Sequence, residues 1–283
     1  MRTLTLALLL AFAALAAPPA RIVSTAPSLT ETLFALGLGD RVVGVTEFCR
    51  YPPEAAARPK IGTFTEPNFE RILALKPDLV LVVRNPVQLA EKLQRLGLRA
   101  VEIPQETLAE IIASIREIGR IAGAEAQARV VAGRVEAELD LVRRRAAGLS
   151  RKKVLFLIGR SPGTLQGMVG VGGGNFLDEL IRLAGGQNVL ASSPMPYPRV
   201  SVEQILAADP DVILDMGDFA HREGRPMESG REFLGLWSAY PVLRAVRQGA
   251  VRQVDSEVLI RPGPRVGEAA RRMLELIHGV RVQ

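Results

Sequence analysis

The best candidate for catalytic chemistry is the segment 159–163, Gly-Arg-Ser-Pro-Gly, which follows an apolar stretch. Its Gly-x-Ser-x-Gly pattern is that of the nucleophile elbow of serine hydrolases, with Ser161 as nucleophile and His278 as a downstream base. The oxyanion hole of such a site uses the backbone N–H of the residue after the serine, and Pro162 has none. The glycines that follow also interrupt the helix that an elbow requires. The sequence therefore disfavours a serine hydrolase and predicts no catalytic residue.

Two other kinds of site are also disfavoured. Residues 170–174, GVGGG, resemble a phosphate-binding loop, but the third glycine of a dinucleotide fingerprint and the Lys-Ser/Thr pair of a P-loop are missing. We expect this segment to form a turn that lets the backbone approach a ligand and that begins a helix at Phe176. The two histidines, His221 and His278, lack the spacing of metal ligands. The sequence therefore predicts neither a metal site nor a cofactor.

Two glutamates occupy the same position in a repeated segment. Residues 68–83, NFERILALKPDLVLVV, align without a gap with residues 201–216, SVEQILAADPDVILDM, and Glu70 falls on Glu203. A single acidic residue in the first turn of a helix is commonly explained by its interaction with the helix dipole. Its recurrence in both copies favours a paired role, because a two-fold symmetric partner would contact two equivalent positions.

The repeated segment predicts a helix, a tight turn and a buried strand. Asn68 and Ser201 are suitable N-caps, Pro77 and Pro210 end the helices, and each copy finishes in a run of Val, Leu and Ile. Two copies this far apart are too few for a solenoid and imply two similar α/β lobes. Because strands alternate with helices in both lobes, we expect parallel sheets that are covered on both faces.

Helical patterns fill the region between the two lobes. A helix from position 107 is closed by Gly123, and residues 124–147 are then strong helix formers without a proline. At 1.5 Å per residue, that second helix spans about 36 Å and joins the lobes as one stiff rod. We predict a signal peptide at 1–16, an N-terminal lobe at 17–106, the two helices at 107–148 and a C-terminal lobe at 149–283.

Composition and charge indicate an exported globular protein. The 283 residues are 48% hydrophobic and 23% charged, and the net charge of +6 is spread along the chain without the basic stripe of a nucleic-acid binder. Arg2, the apolar run 4–14 and small residues at 14–16 form a cleavable signal pattern. The one cysteine, Cys49, can form no internal disulfide and lies too far from that pattern to carry a lipid anchor.

An ordered set of motifs resembles the helical-backbone class of periplasmic substrate-binding proteins, which serve ABC importers of vitamin B12, ferric siderophores and haem. The motifs are residues 21–32 (RIVSTAPSLTET), 36–45, 51–53, both copies of the repeat and 185–189. The patterns GVTEFCRYPP, GTFTEPNFERI and PYPRVSVEQIL look most like the cobalamin-binding members. This resemblance implies two Rossmann-like lobes with parallel sheets, bridged by one long α-helix, with a ligand cleft between the lobes.

The same resemblance implies site residues. By their place in the motifs, the ligand-binding positions are Phe48, Phe64, Arg84, Tyr197, Glu257 and Arg261. The aromatic side chains would stack on a flat macrocycle, although Val83 stands where an aromatic residue is common in the class. Glu70 and Glu203 match the two glutamates that pair with arginines on the two membrane subunits of the importer.

Together these observations predict a monomeric, non-enzymatic receptor in the periplasm. It would capture cobalamin or another corrinoid and deliver it to the transmembrane subunits of an ABC importer. The alternative within transport is a ferric-siderophore or haem receptor, in which Arg84, Arg160 and Arg261 would meet acidic groups of the ligand.

Overall fold

The computed structural model describes residues 17–84, 87–218, 228–254 and 257–280. The predicted signal peptide at 1–16 and His221 lie outside these ranges. Within them the chain forms two α/β lobes, each with its own sheet, and no helix is long and apolar enough to span a membrane. The domain limits given above stay a prediction.

The N-terminal lobe contains a four-stranded sheet in which every pairing is parallel, in the order β2-β1-β3-β4. Its strands are β1 (Ile22–Ser24), β2 (Val42–Val45), β3 (Leu79–Val82) and β4 (Ala100–Glu102). The helices of this lobe are α1 (Pro27–Ala35), α2 (Pro53–Ala56), α3 (Phe69–Ala74) and α4 (Leu89–Arg95). All four residues of β3 are buried, as the apolar run predicts for a strand covered on both faces.

Two long helices connect the lobes. α5 (Leu108–Ala122) begins with a capping box of Thr107 and Glu110, and Gly123 ends it in the left-handed conformation. The 22 residues of α6 (Glu125–Ala146) follow after this short turn, so α6 runs back along α5. α6 packs on α5 on one side and on the C-terminal helix of the chain on the other. The predicted bridging helix is therefore present.

The C-terminal lobe contains a mixed sheet in the order β10-β9-β5-β6-β8, with β7 also paired to β5. Its strands are β5 (Lys152–Gly159), β6 (Met168–Gly170), β7 (Gly186–Asn188), β8 (Arg199–Val200), β9 (Val212–Asp215) and β10 (Val251–Gln253). Its helices are α7 (Phe176–Leu183), α8 (Val202–Ala208), α9 (Gly230–Ser238), α10 (Arg244–Arg247) and α11 (Val266–His278).

The prediction of parallel strands holds for β7, β5, β9 and β10. The strands β6 and β8 are antiparallel to their neighbours and were not predicted from the sequence. They contain three and two residues, which is too short for an alternating pattern to be detected. The hairpin from β5 to β6 extends the sheet to β8, which begins two residues after Tyr197.

Candidate ligand-binding cleft

A cavity of about 700 Å³ is lined by residues of both lobes. The N-terminal lobe contributes segments that directly follow its four strands, and the C-terminal lobe contributes residues 174–176, 196–197 and 260–262. Ligands of open parallel sheets bind at the carboxyl ends of the strands, because the loops there converge on a common crevice. The cavity occupies that position in the N-terminal lobe.

Five of the six predicted ligand-binding residues line this cavity. They are Phe48, Phe64, Arg84, Tyr197 and Arg261. The sixth, Glu257, lines a neighbouring cavity of about 300 Å³ that also contains Phe48 and Arg261. The structure thus brings the six side chains to one region, and their roles in binding stay a prediction.

Further cavity residues were not identified from the motifs. They include Ser28, Thr46 and residues 103–106, each of which comes just after a strand of the N-terminal lobe. Gln105 of that segment is buried and accepts a hydrogen bond from Ser28 at 2.6 Å. The rule that ligands bind at the carboxyl ends of parallel strands could have indicated these positions.

The cavity walls carry aromatic side chains that the fold leaves accessible. Phe48 is 38% exposed and Tyr197 is 41% exposed, and Phe64 is half-buried. Desolvation within the cleft, together with the negative charge of Glu106, raises the pKa of the Tyr197 phenol, so that it stays neutral. Val83 lines the same cavity as an aliphatic residue. The cleft therefore offers flat apolar faces and a neutral hydroxyl group.

The two arginines of the cleft are already paired with carboxylates. Arg84 lies 2.9 Å from Glu106 and 3.4 Å from Glu102, and Arg261 lies 3.0 Å from Glu257. These carboxylates offset the positive charge that the arginines would present to a ligand.

The expectation that Arg160 meets a ligand is wrong. Its side chain is fully buried, its Nε donates to Asp215 at 3.0 Å, and its guanidinium binds both carboxylate oxygens of Glu228. Asp215 also accepts a hydrogen bond from the indole of the buried Trp237 at 3.0 Å. These partners come from segments far away in the sequence, so the motif around Arg160 could not indicate them.

Ser161 and His278 lie at opposite ends of β5. Ser161 lies two residues after the last residue of the strand, whereas Lys152 at its first residue donates to the carbonyl of Ile277, next to His278. Eight strand residues span roughly 23 Å, so the imidazole cannot act on the serine. Burial and the nearby charge of Lys152 also lower the pKa of His278. Ser161 and His278 therefore do not form a Ser–His pair.

The glycines of the GVGGG segment serve packing. A Cβ atom on Gly172 would lie 2.1 Å from the carbonyl oxygen of Met195, and one on Gly173 would lie 2.1 Å from that of Ala191. Of these glycines Gly174 lines the cleft, and the approach of this backbone to a ligand stays a prediction. The predicted helix start is confirmed, with Asn175 as N-cap. Among the described residues no group of His, Cys, Asp and Glu could hold a metal ion.

The paired glutamates are both exposed and both lie at the second position of a short helix. Glu70 belongs to α3 and Glu203 to α8, and Asn68 and Ser201 cap these helices as predicted. Each helix leads into the next parallel strand, so its first turn lies at the carboxyl edge of the sheet, where the cleft also opens in the N-terminal lobe. Hydrogen bonding to Ser201 lowers the pKa of Glu203, which keeps that carboxylate ionised.

The sequence profile of the family described as "Periplasmic binding protein" matches residues 22–258. This range covers most of the chain. The chain belongs to the periplasmic binding protein family. Members of this family are non-enzymatic components of transport, so this periplasmic binding protein binds a small molecule in the periplasm for an ABC importer.

Relatives within the family include vitamin B12-binding proteins. That of Vibrio cholerae is 30% identical over 259 residues, which cover 90% of this chain and 88% of the relative. That of Vibrio parahaemolyticus is 29% identical over 267 residues, covering 93% and 91%.

Solved structures show the same two-lobed fold. The periplasmic vitamin B12 binding protein of Vibrio cholerae matches with a TM-score of 0.77 and 29% identity, covering 92% of this chain and 97% of the other. The periplasmic heme-binding protein of Roseiflexus sp. RS-1 in its apo form matches with a TM-score of 0.78 and 28% identity, covering 92% and 98%.

Proposed function

We propose that this periplasmic binding protein captures cobalamin or another corrinoid in the cleft between its lobes and delivers it to an ABC importer. The observation that carries the proposal is an aromatic cleft whose arginines are already neutralised. Phe48, Phe64 and Tyr197 present flat faces, and each cleft arginine has a carboxylate partner within 3.0 Å.

The charge balance favours a macrocycle with a neutral rim. The corrin ring of cobalamin carries amide side chains, which can hydrogen-bond with a phenol, a carboxylate or a paired guanidinium. The propionates of haem and the anionic donors of many siderophores would instead compete with Glu106 and Glu257 for the same arginines. Stacking of the ring on the aromatic walls would supply the apolar part of the affinity.

A haem or ferric-siderophore ligand is the second candidate, and Arg84 is the residue that favours it. Its side chain is largely exposed, so its ion pairs with Glu102 and Glu106 are weak and could be exchanged for a ligand carboxylate. Similarity to the heme-binding protein of Roseiflexus sp. RS-1 agrees with this candidate.

Isothermal titration calorimetry separates the two candidates. Cyanocobalamin, haem and a ferric siderophore are titrated into the purified chain under identical conditions. We expect a micromolar or tighter dissociation constant for cyanocobalamin and at least tenfold weaker binding of the other two. If cyanocobalamin gives no binding heat and haem or the siderophore binds tightly, the second candidate would replace the first.

Delivery would use Glu70 and Glu203 as docking residues for arginines on the two membrane subunits. Both carboxylates are exposed, and each lies at the same place in its copy of the repeat. The double variant Glu70→Gln/Glu203→Gln should keep its ligand affinity and lose most of the uptake in a vesicle transport assay. Unchanged uptake would exclude the docking role.

The proposal also includes export and state of assembly. Residues 1–16 would be removed as a signal peptide, and the mature chain would act as a monomer without a resident cofactor. Mass spectrometry of the periplasmic protein and light scattering test these points directly.

A further inference from the structure

A leucine lies exposed beside each of the two paired glutamates. Leu73 is 39% exposed on α3, and Leu206 is 37% exposed on α8. The two leucines occupy equivalent positions of the repeat, three residues after Glu70 and Glu203. One exposed leucine on a surface helix is ordinary. Two exposed leucines at equivalent positions, each next to an equivalent glutamate, indicate a common function.

Helix geometry places each leucine on the same face as its glutamate. Residues three apart on a helix are neighbours on its surface. Both helices begin one residue before the glutamate, and the isoleucines between, Ile72 and Ile205, are 0% and 2% exposed. The buried isoleucines fix the rotation of each helix, so the Glu and Leu side chains both face outward.

In the C-terminal lobe this surface borders a recess. Glu203 and Leu206 both line a cavity of about 560 Å³, together with Leu165 and Tyr240. A carboxylate and apolar side chains therefore meet at one concave patch, which can receive a partner side chain beside a pairing cation.

We propose that each lobe docks through a two-part contact, in which the glutamate pairs with an arginine and the leucine three residues later packs on an apolar surface. The occupant is the pair of membrane subunits of the importer, each presenting an arginine flanked by apolar side chains. This inference rests on the docking role proposed for Glu70 and Glu203. The repeat of the contact in both lobes matches a partner with two equivalent halves.

The two parts of the contact have different physical effects. An exposed carboxylate at an interface acts at long range, raises the association rate and makes it sensitive to salt. A leucine acts only after contact, when its apolar surface is removed from water, so it slows dissociation at any salt concentration.

The test is surface plasmon resonance with the importer whose transport the chain supports, reconstituted in lipid nanodiscs. The variants are Leu73→Gln/Leu206→Gln and Glu70→Gln/Glu203→Gln. Glutamine keeps the length and helix propensity of leucine, and thermal unfolding checks that both variants remain folded. The control is Leu96→Gln, at an exposed leucine (48%) that follows α4.

We expect the leucine variant to dissociate about tenfold faster, with an unchanged association rate and salt dependence. The glutamate variant should associate more slowly and lose its salt dependence, and the control should match the unaltered chain. If the glutamate variant behaves as expected but the leucine variant matches the control, the two-part contact is refuted and the docking role stands. If neither variant changes binding, or no importer binds the unaltered chain, both proposals fail.

Discussion

The guanidinium of Arg265, at the start of α11, holds the carboxylate of Glu31 on α1 across the boundary between the lobes. Nε and Nη2 of the arginine donate to the two carboxylate oxygens at 2.8 and 2.7 Å, and Glu31 is 4% exposed. The guanidinium carbon of Arg265 also lies 3.9 Å from the ring centroid of Tyr51. Glu31 and Tyr51 belong to the N-terminal lobe, so Arg265 ties both to the C-terminal lobe, and this contact opposes wide opening of the cleft.

We predict that Arg265→Met lowers the free energy of unfolding by about 3 kcal/mol, because it leaves the buried carboxylate of Glu31 without its partner. The double variant Glu31→Met/Arg265→Met should lose less than the sum of the two single variants. Urea denaturation measures these free energies. Arg261→Met, which breaks the more exposed pair with Glu257, is the control and should cost less than about 1 kcal/mol. If the loss in the double variant equals the sum of the losses in the two single variants, the interaction between Glu31 and Arg265 makes no net contribution to stability.

The aromatic walls give a prediction about affinity. Phe64→Ala and Tyr197→Ala should each weaken cyanocobalamin binding about tenfold, because each removes a face on which the ring can stack. Calorimetry provides the dissociation constants. Tyr240→Ala is a matched control, since Tyr240 lines the recess beside Glu203 and not the cleft. Equal affinities of the cleft variants and the control would contradict the placement of the ligand.

The close approach at Gly172 gives a prediction about packing. Gly172→Ala places a methyl group 2.1 Å from the carbonyl oxygen of Met195, so we expect a loss of about 2 kcal/mol in the free energy of unfolding. The displaced loop includes Pro196, which lines the cleft, so ligand affinity should fall as well. Gly133→Ala, inside α6 with open space around the new methyl, should instead stabilise the protein by about 0.5–1 kcal/mol. Unchanged stability of Gly172→Ala would show that the loop shifts freely.

The ion pair between the buried Arg160 and Glu228 predicts that the stability of the protein depends on pH. Hydrogen bonds from Arg160 hold the pKa of Glu228 below its usual value. A carboxylate with a depressed pKa in the folded state stabilises the protein above its unfolded pKa of about 4.3, and this contribution is lost as the pH falls through the folded-state pKa. Glu228→Gln should therefore lower the free energy of unfolding by about 2 kcal/mol at pH 7. Below about pH 4 the free energies of unfolding of the variant and the unaltered chain should become more similar.

Urea denaturation at pH 7, 5 and 3.5 follows this difference. Glu54→Gln, at an exposed glutamate in the first turn of α2, controls for the loss of one negative charge. A constant difference at all three pH values would show that the ionised form of Glu228 makes no contribution.

The architecture could be predicted because its signals are local. The repeat around Glu70 and Glu203 indicates helix, turn and strand through residues close together in the chain, and the caps Asn68 and Ser201 form as expected. The bridging helix could be predicted from 24 positions without a proline, and it forms over Glu125–Ala146. The positions of Phe48, Phe64 and Tyr197 on one cavity agree with the motifs of the family.

The sequence by itself determined two α/β lobes, the helix between them and the exposed pair of glutamates, because helix periods, caps and turn residues act between near neighbours. Only the tertiary structure decided which charges are free to act. Arg160 is enclosed by Asp215 and Glu228, and Arg265 meets Glu31, 234 positions away in the chain. The strength and role of a charge depend on its burial and its partners, and these are set by how distant segments pack.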